Sequence, residues 1–314
     1  MERVALITTV CLNPSIDQML VIDGFTYGGL NRVQTTRRDA GGKGVNVAVA
    51  ASALGAQAEC VGFMFKESAR LFETRLRMSG TASDFVWLEG SARTNLKVFD
   101  RERGVVTEFN ESGREVGAED LARMTELVRH RAARADFLVL SGSLPPGCPV
   151  DYYAQLMRAV AGEGCRCVLD ADGAPLREGL KERAWMLKPN RAELEALTGR
   201  TLGDIPAVRD AARELIAGGT TVVAVSLGGD GAVIADANEA FFAPPLKIEV
   251  RSTVGAGDAM VAALTSGFAA GKGLEEAFRM GVANASAMCM TQGSEPPARE
   301  DFEALLQTVQ TERI

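Results

Sequence analysis

The chain has 314 residues, 46% hydrophobic and 24% charged, enough to bury a large core in one big domain or two smaller ones. A net charge of −7 argues against a general nucleic-acid binder, so any anion site must be a local basic cluster. One histidine, His130, and six cysteines without a C-x-x-C pair argue against a zinc site or a Ser-His-Asp triad.

In chain order, Val4–Leu12 is an apolar strand that runs into Asn13-Pro14-Ser15-Ile16-Asp17. Gln18–Ile22 and Arg32–Thr35 are short strand-like runs with no helix between them. Ala40-Gly41-Gly42-Lys43-Gly44-Val45-Asn46 opens a helix that reaches Leu54. Strands then follow at Glu59–Phe63, Asp136–Ser141, Cys167–Asp170, Trp185–Lys188 and Thr221–Ser226. Amphipathic helices fall at Ser68–Ser79, Ala118–Ala133, Asp151–Ala161, Arg191–Leu197 and Ala207–Ala217. Near-continuous apolar strands alternating with helices predict an α/β fold, with a mostly parallel sheet covered on both faces. Thr94–Asp100 and Val105–Asn110 alternate apolar and polar residues around a turn at Arg101-Glu102-Arg103-Gly104. With the two early runs they fit a small separate sheet inserted into the core. That sheet has an apolar face in need of a cover. Helices from Asp258 to Ala270, from Leu274 to Thr291 and from Arg299 complete the chain. Cys165 and Cys167 alternate in a strand as reduced thiols. The first ten residues lack a basic region followed by a long apolar segment, and no apolar run is long enough to span a bilayer. The expected location is cytoplasmic, without a membrane partner.

The most informative stretch is Ser252-Thr253-Val254-Gly255-Ala256-Gly257-Asp258, a glycine-rich turn feeding a helix. Free N–H groups at such a terminus bind anions, phosphate among them. A carboxylate there would repel phosphate, yet could take a proton from a group attacking that phosphate. The same pattern also serves as a plain turn with an acidic first-turn residue. In the Gly41-Gly42 turn, backbone can approach a ligand closely, Lys43 adds a cation and Asn46 a two-way hydrogen-bonding group. The spacing is not that of a Walker A loop. Asp17, beyond the end of the first strand, could accept from sugar hydroxyls or simply hold a turn.

Seven motifs in order resemble the PfkB/ribokinase family of carbohydrate kinases. They are Asn13–Asp17, Gly41–Asn46, Arg93-Thr94-Asn95, Ser141-Gly142-Ser143-Leu144-Pro145, Lys188-Pro189-Asn190-Arg191-Ala192-Glu193, Ser226-Leu227-Gly228-Gly229-Asp230-Gly231 and Ser252–Asp258. Read singly, most are ordinary strand-end turns or caps. The resemblance implies a single ribokinase-like domain over residues 1–314, a three-layer α/β/α core with a β-sheet lid from about 12–36 and 90–112. It implies Asp258 as base, with Gly255, Ala256 and Gly257 as an anion hole. Asn190 and Glu193 would organise Mg²⁺ through water. Lys188, Ser226, Gly228, Gly231, Thr253 and Asn284 would lie along ATP, with Asn284 at the adenine. Asp17, Gly41, Gly42, Lys43, Asn46, Arg93 and Ser141 fall on the substrate side. A monovalent cation near Val250, Ser252 and residues 285–294 is also open.

Arg93 resembles the arginine that grips a substrate phosphate in the phosphosugar branch, where a planar fork suits phosphate. The expected reaction is therefore ATP-dependent phosphorylation of a ketohexose phosphate, fructose 1-phosphate first. The alternatives are tagatose 6-phosphate or fructose 6-phosphate, then a free sugar or nucleoside, then a non-catalytic sugar-phosphate sensor. The resemblance also implies a homodimer through the lid. One departure stands out: Met64-Phe65-Lys66-Glu67 replaces a further glycine pair, predicting a bulkier loop beside the sugar.

Overall fold

The computed structural model describes residues 4–291, 293 and 295–314. The first half of the chain holds β1 (Leu6–Cys11), β2 (Ser15–Ile22), β3 (Val33–Gly41), α1 (Lys43–Ala53), β4 (Gln57–Phe65) and α2 (Ala69–Met78). It continues with β5 (Ala82–Leu88), β6 (Arg93–Asp100), β7 (Val105–Asn110), α3 (Ala118–Ala132), β8 (Phe137–Ser141) and α4 (Tyr152–Ala159). After these come β9 (Arg166–Asp170), α5 (Gly173–Leu180), β10 (Met186–Leu187), α6 (Arg191–Thr198), α7 (Ile205–Ala217) and β11 (Val222–Ser226). The chain closes with β12 (Ala232–Ala235), β13 (Ala240–Ala243), α8 (Ala256–Ala269), α9 (Leu274–Cys289), α10 (Arg299–Thr308) and β14 (Glu312–Arg313).

Ten strands form the central sheet in the order β14-β13-β12-β11-β10-β9-β8-β1-β4-β5. From β11 to β5 neighbouring strands run parallel; β12, β13 and β14 attach antiparallel at one edge. Helices cover both faces. On one face Met124, Val128, Tyr153 and Val208 join a core built on Leu138, Leu140 and Val223. On the other, Val261, Leu264, Phe278 and Ala283 of α8 and α9 pack on Ile7, Val139 and Ile234. Strands buried on both faces must be apolar throughout, which is why Phe137–Ser141 shows no alternation. In α3 the reverse holds: Met124, Val128 and Ala132 recur every four residues on its buried side. Glu119 and Asp120 in its first turn and Arg129 and Arg131 in its last complement the helix dipole.

The second sheet has the order β3-β2-β6-β7. Its β3 runs on to Gly41, past the limit near residue 36 that the sequence predicted, because Asp39–Gly41 pair with Ser15–Asp17. Asp100 organises its far corner. Its carboxylate accepts from the Gly24, Phe25 and Glu102 N–H groups and from the Arg103 side chain. The Phe25 N–H first, then Arg103, hold that carboxyl down at about 2. The roots of this sheet are anchored in a core: Ile16 and Ala40 are buried with Val45, Phe72 and Leu76 of α1 and α2.

That same core holds Met64 and Phe65, and here the sequence expectation fails. Only Lys66 and Glu67 of the segment form an exposed turn, and none of its four residues lines either cavity of the cleft. Met64 and Phe65 continue β4, opposite Trp87 and Leu88 of β5, and both are buried. The Lys66 and Glu67 N–H groups donate to Leu88 and Gly90 carbonyls.

Candidate active site

β1 lies between β4 and β8, so the chain leaves it toward one side of the sheet and returns on the other. A crevice opens at such a switch point, beyond the carboxyl ends of the strands. Two cavities occupy it. The smaller, about 290 Å³, is lined by polar groups: Asn13, Lys43, Arg93, Asn95, Asn110, Ser141, Ser143 and Asp172. The larger, about 640 Å³, is lined by Lys188, Asn190, Glu193, Ser226, Gly228, Gly231, Thr253 and Gly255–Asp258, with an apolar wall that includes Leu246, Ile248, Val282 and Ala285. Lys43 borders both.

Glycine makes the close approaches possible. Gly42, the residue before α1, has φ 102°, and a Cβ there would sit 2.9 Å from Cys11 Sγ. Gly255 caps α8 at φ 78°. Gly257 lies beside Lys188, whose Nζ would be in ordinary contact, 3.4 Å, with a Cβ there.

Asp258 in the first turn of α8 is 6% exposed and accepts from Asn46 Nδ2 at 2.8 Å. Burial pushes its carboxyl up to about 6; Lys43 opposes that rise, Asp170 adds to it, and Asn46 and Lys188 oppose it. Asp170, at the end of β9, goes the other way. Its two oxygens meet Lys43 Nζ at 3.2 Å and Lys188 Nζ at 3.3 Å, and Ser141 Oγ donates at 3.1 Å. Burial disfavours its charge, but Lys188 and Lys43 outweigh burial and hold it at about 2. Asp170 in turn raises the pKa of Lys43, which stays a cation.

On the smaller cavity, Arg93 Nη1 donates to the Glu111 carbonyl at 2.8 Å and Nη2 reaches Ser143 Oγ at 3.4 Å. Partial burial lowers its pKa without threatening its charge. Asp17 Oδ1 accepts from Asn95 Nδ2 at 3.0 Å and from Ser15 Oγ at 3.1 Å. Gly41 lies against the Asp17 carboxylate, where a Cβ would come within 2.9 Å of it. On the larger cavity, Asn190 and Glu193 form a capping box: Asn190 Oδ1 accepts from Glu193 N and Glu193 Oε2 from Asn190 N. Ser226 ends β11, and the turn after it carries Gly228 at φ 61° and Gly231 at φ 97°. Arg191 clamps that turn through Asp230 at 3.0 Å.

Asn284 is a correction. It is 1% exposed, and its Nδ2 donates to the Ala259 carbonyl at 2.9 Å, joining α9 to α8. Its neighbours Val282, Ala285, Ser286 and Cys289 line the cavity instead. The helix turns Val282, Ala285, Ser286 and Cys289 to the cleft and hides the asparagine between two helices. Of the segment considered for a monovalent cation, Val250 and Cys289 line the cavity, while Gln292 and Ser294 lie outside the described residues.

Sequence reasoning missed Asp170, Asp172 and Arg75. Asp170 carried a usable signal, a lone carboxylate ending an apolar strand where ligands bind. Arg75 carried none, since it reads as a surface position of an amphipathic helix.

The whole arrangement has known counterparts. Residues 11–301 match the pfkB family carbohydrate kinase pattern. The chain belongs to this family. It is 40% identical over 307 residues to the 1-phosphofructokinase of Rhodobacter capsulatus, covering 96% of each chain. It is 34% identical to the 1-phosphofructokinase of Escherichia coli K12, covering 89% of each. Among solved structures, phosphofructokinase-2 from Escherichia coli in complex with potassium superposes with a TM-score of 0.91 at 32% identity, covering 97% of this chain and 99% of that one. The protein is a carbohydrate kinase with the ribokinase-like α/β fold. Among the described residues, no helix is long and apolar enough to cross a membrane.

Proposed function

We propose that this kinase transfers the γ-phosphoryl group of ATP to the 6-hydroxyl of fructose 1-phosphate, giving fructose 1,6-bisphosphate. The observation that carries the proposal is the one junction of two unlike cavities, a polar one with Arg93 and a larger one with an apolar wall, at Lys43 beside Asp258. The relatives called 1-phosphofructokinase support the choice of sugar phosphate.

In this reading the sugar phosphate occupies the polar cavity. Arg93 and Lys43, which line that cavity with Ser141, hold its phosphate. Asp17, Asn46, Gly41 and Gly42 lie behind the lining, where Asp17 holds Asn95, a residue of the cavity wall, and Asn46 holds Asp258. ATP lies in the larger cavity over Ser226, Gly228, Gly231 and Thr253, with Lys188 toward its phosphates. Asp258 takes the proton of the attacking hydroxyl. Its carboxyl, near 6, is ionised at neutral pH yet basic enough to accept that proton. The N–H groups of Gly255, Ala256 and Gly257 stabilise charge that develops on the transferred group.

Mg²⁺ bound with ATP would supply neutralisation of phosphate charge. Among the described residues no three His, Cys, Asp or Glu side chains converge to cage a metal. That suits an ion held mainly by phosphate and water, with Asn190 and Glu193 on the water shell. Glu193 keeps Oε1 outside its capping box for this role.

The second sheet acts as a lid that excludes water. Val33, Val105, Val106 and Phe109 on it are exposed, which supports a homodimer through the lid. A monomeric mass at micromolar concentration would contradict that. The free thiols fit a cytoplasmic location.

Fructose 6-phosphate is the second reading, supported by the likeness to phosphofructokinase-2. A coupled ADP-release panel decides. The highest kcat/KM should fall to fructose 1-phosphate, ahead of fructose 6-phosphate and tagatose 6-phosphate. Equal turnover of unphosphorylated fructose would overturn the proposal.

A further inference from the structure

The carboxamide of Asn46 could face Asp258 with either end. Its nitrogen would bond the carboxylate, and its oxygen would repel it. Arg75 settles which. This residue stands on α2, 9% exposed, with Phe72 and Leu76 on the same buried side of the helix. Its Nη1 donates to Asn46 Oδ1 at 2.8 Å and also to the Ala40 carbonyl oxygen. A guanidinium has donors only. The oxygen end of Asn46 must therefore face Arg75, which leaves Nδ2 for Asp258 at 2.8 Å. Ala40 lies near the end of β3, where the lid strand turns into α1.

A cation is an expensive choice for such a position, because burial disfavours its charge. An apolar side chain of similar length would fill the same volume. The acidic groups acting on Arg75 are Glu295, Asp39, Asp17 and Asp258; the charged groups acting most strongly on Asp258 are Lys43, Asp170 and Lys188. Arg75 lines neither cavity, so it acts through its neighbours.

We infer that Arg75 is a positioning residue: it locks the Asn46 amide with its N–H toward Asp258 and ties that lock to the root of the lid strand. This rests on the reading of Asp258 as the base. Without Arg75 the amide rotates, and the carboxylate loses an oriented donor. Its pKa then rises further and less of it is ionised at neutral pH.

The test is a double-mutant cycle read through the acid limb of the kcat–pH profile, with melting temperature recorded for every variant. Arg75→Met should lower kcat about 10- to 100-fold at pH 7 and move the acid limb upward. ATP KM should change little. Arg75→Lys, which keeps charge and length for folding, should lose about three- to tenfold. In an Asn46→Ala background neither change should move the limb further. Wild-type kcat and limb in a folded Arg75 variant would overturn the inference, as would a limb shift of the same size with and without Asn46. If Asp258→Asn is inactive while the Arg75 variants behave as wild type, the inference alone fails. If Asp258→Asn turns over normally, the reading of the base fails with it.

Discussion

The end of β9 and the start of α8 each bury a carboxylate near Lys43 and Lys188, yet the two carboxyls titrate in opposite directions. Asp170 is held at about 2, and Asp258 is pushed up to about 6. Burial is nearly the same for both, so it does not explain the difference. Asp170 has an ammonium on each oxygen and a hydroxyl besides. Asp258 has one amide N–H, and Asp170 itself repels it. Asp170 thus acts as a fixed anion that holds two lysines in place. Asp258 is left basic enough to move a proton. Separating two carboxylates by environment is a general way to divide structural and acid–base roles.

Asp258→Asn should break this contrast most severely. Loss of a positioned base costs kcat on the order of 10²–10⁴, measured at saturating substrates. Stability should move the other way. A carboxyl raised in the folded state stabilises below its ordinary pKa, and that contribution is lost as pH rises through about 6. The asparagine variant should therefore exceed wild type at pH 8 by on the order of 1–3 kcal/mol and gain nothing at pH 4, by denaturant titration.

Arg93→Ala follows in size. It should raise the KM for the sugar phosphate on the order of tenfold to a hundredfold, by loss of a charge-assisted pair, while ATP KM holds. An unchanged sugar-phosphate KM would remove Arg93 from the site.

Asp170→Asn tests the other half of the contrast. It leaves Lys188, 5% exposed, without its carboxylate and should cost about 3 kcal/mol at neutral pH. Asp170 is depressed, so its contribution is present above the ordinary carboxylate range and lost as pH falls through about 2. The gap between wild type and variant should close toward pH 2.

Much of this was legible in the sequence, for identifiable reasons. Long apolar strands and four-residue helix periodicity are local, and so are glycine turns such as Gly41–Gly44 and Gly255–Gly257. What escaped was weakly coded or non-local. β12 and β13 are alanine-rich, β5 begins with Ala82-Ser83-Asp84, and α5 contains Pro175 and Gly179. Asp170 had a local signal as a carboxylate ending an apolar strand, but its partner Lys43 is 127 residues away in the chain. Asn284 was placed at the adenine by likeness alone, and Arg75 was passed over as a surface position of an amphipathic helix; both are buried by partners on other elements. The Met64–Glu67 segment was placed at the pocket by likeness alone, while pairing with β5 draws Met64 and Phe65 into the core and leaves Lys66 and Glu67 as an exposed turn.

The most direct test of the account is the pH dependence of kcat on fructose 1-phosphate, in wild type and in Asp170→Asn. The wild-type profile should fall tenfold per pH unit below about 6 and be flat above it. In the variant the limb should move to lower pH, because burial still raises Asp258 but the added push of the Asp170 anion is gone. The substrate phosphate also titrates near pH 6, so the residual activity of Asp258→Asn is profiled alongside: a limb owed to Asp258 disappears there, and one owed to the phosphate stays. A flat profile from pH 5 to 8, or a limb that stays in place in Asp170→Asn, would contradict Asp258 as the base.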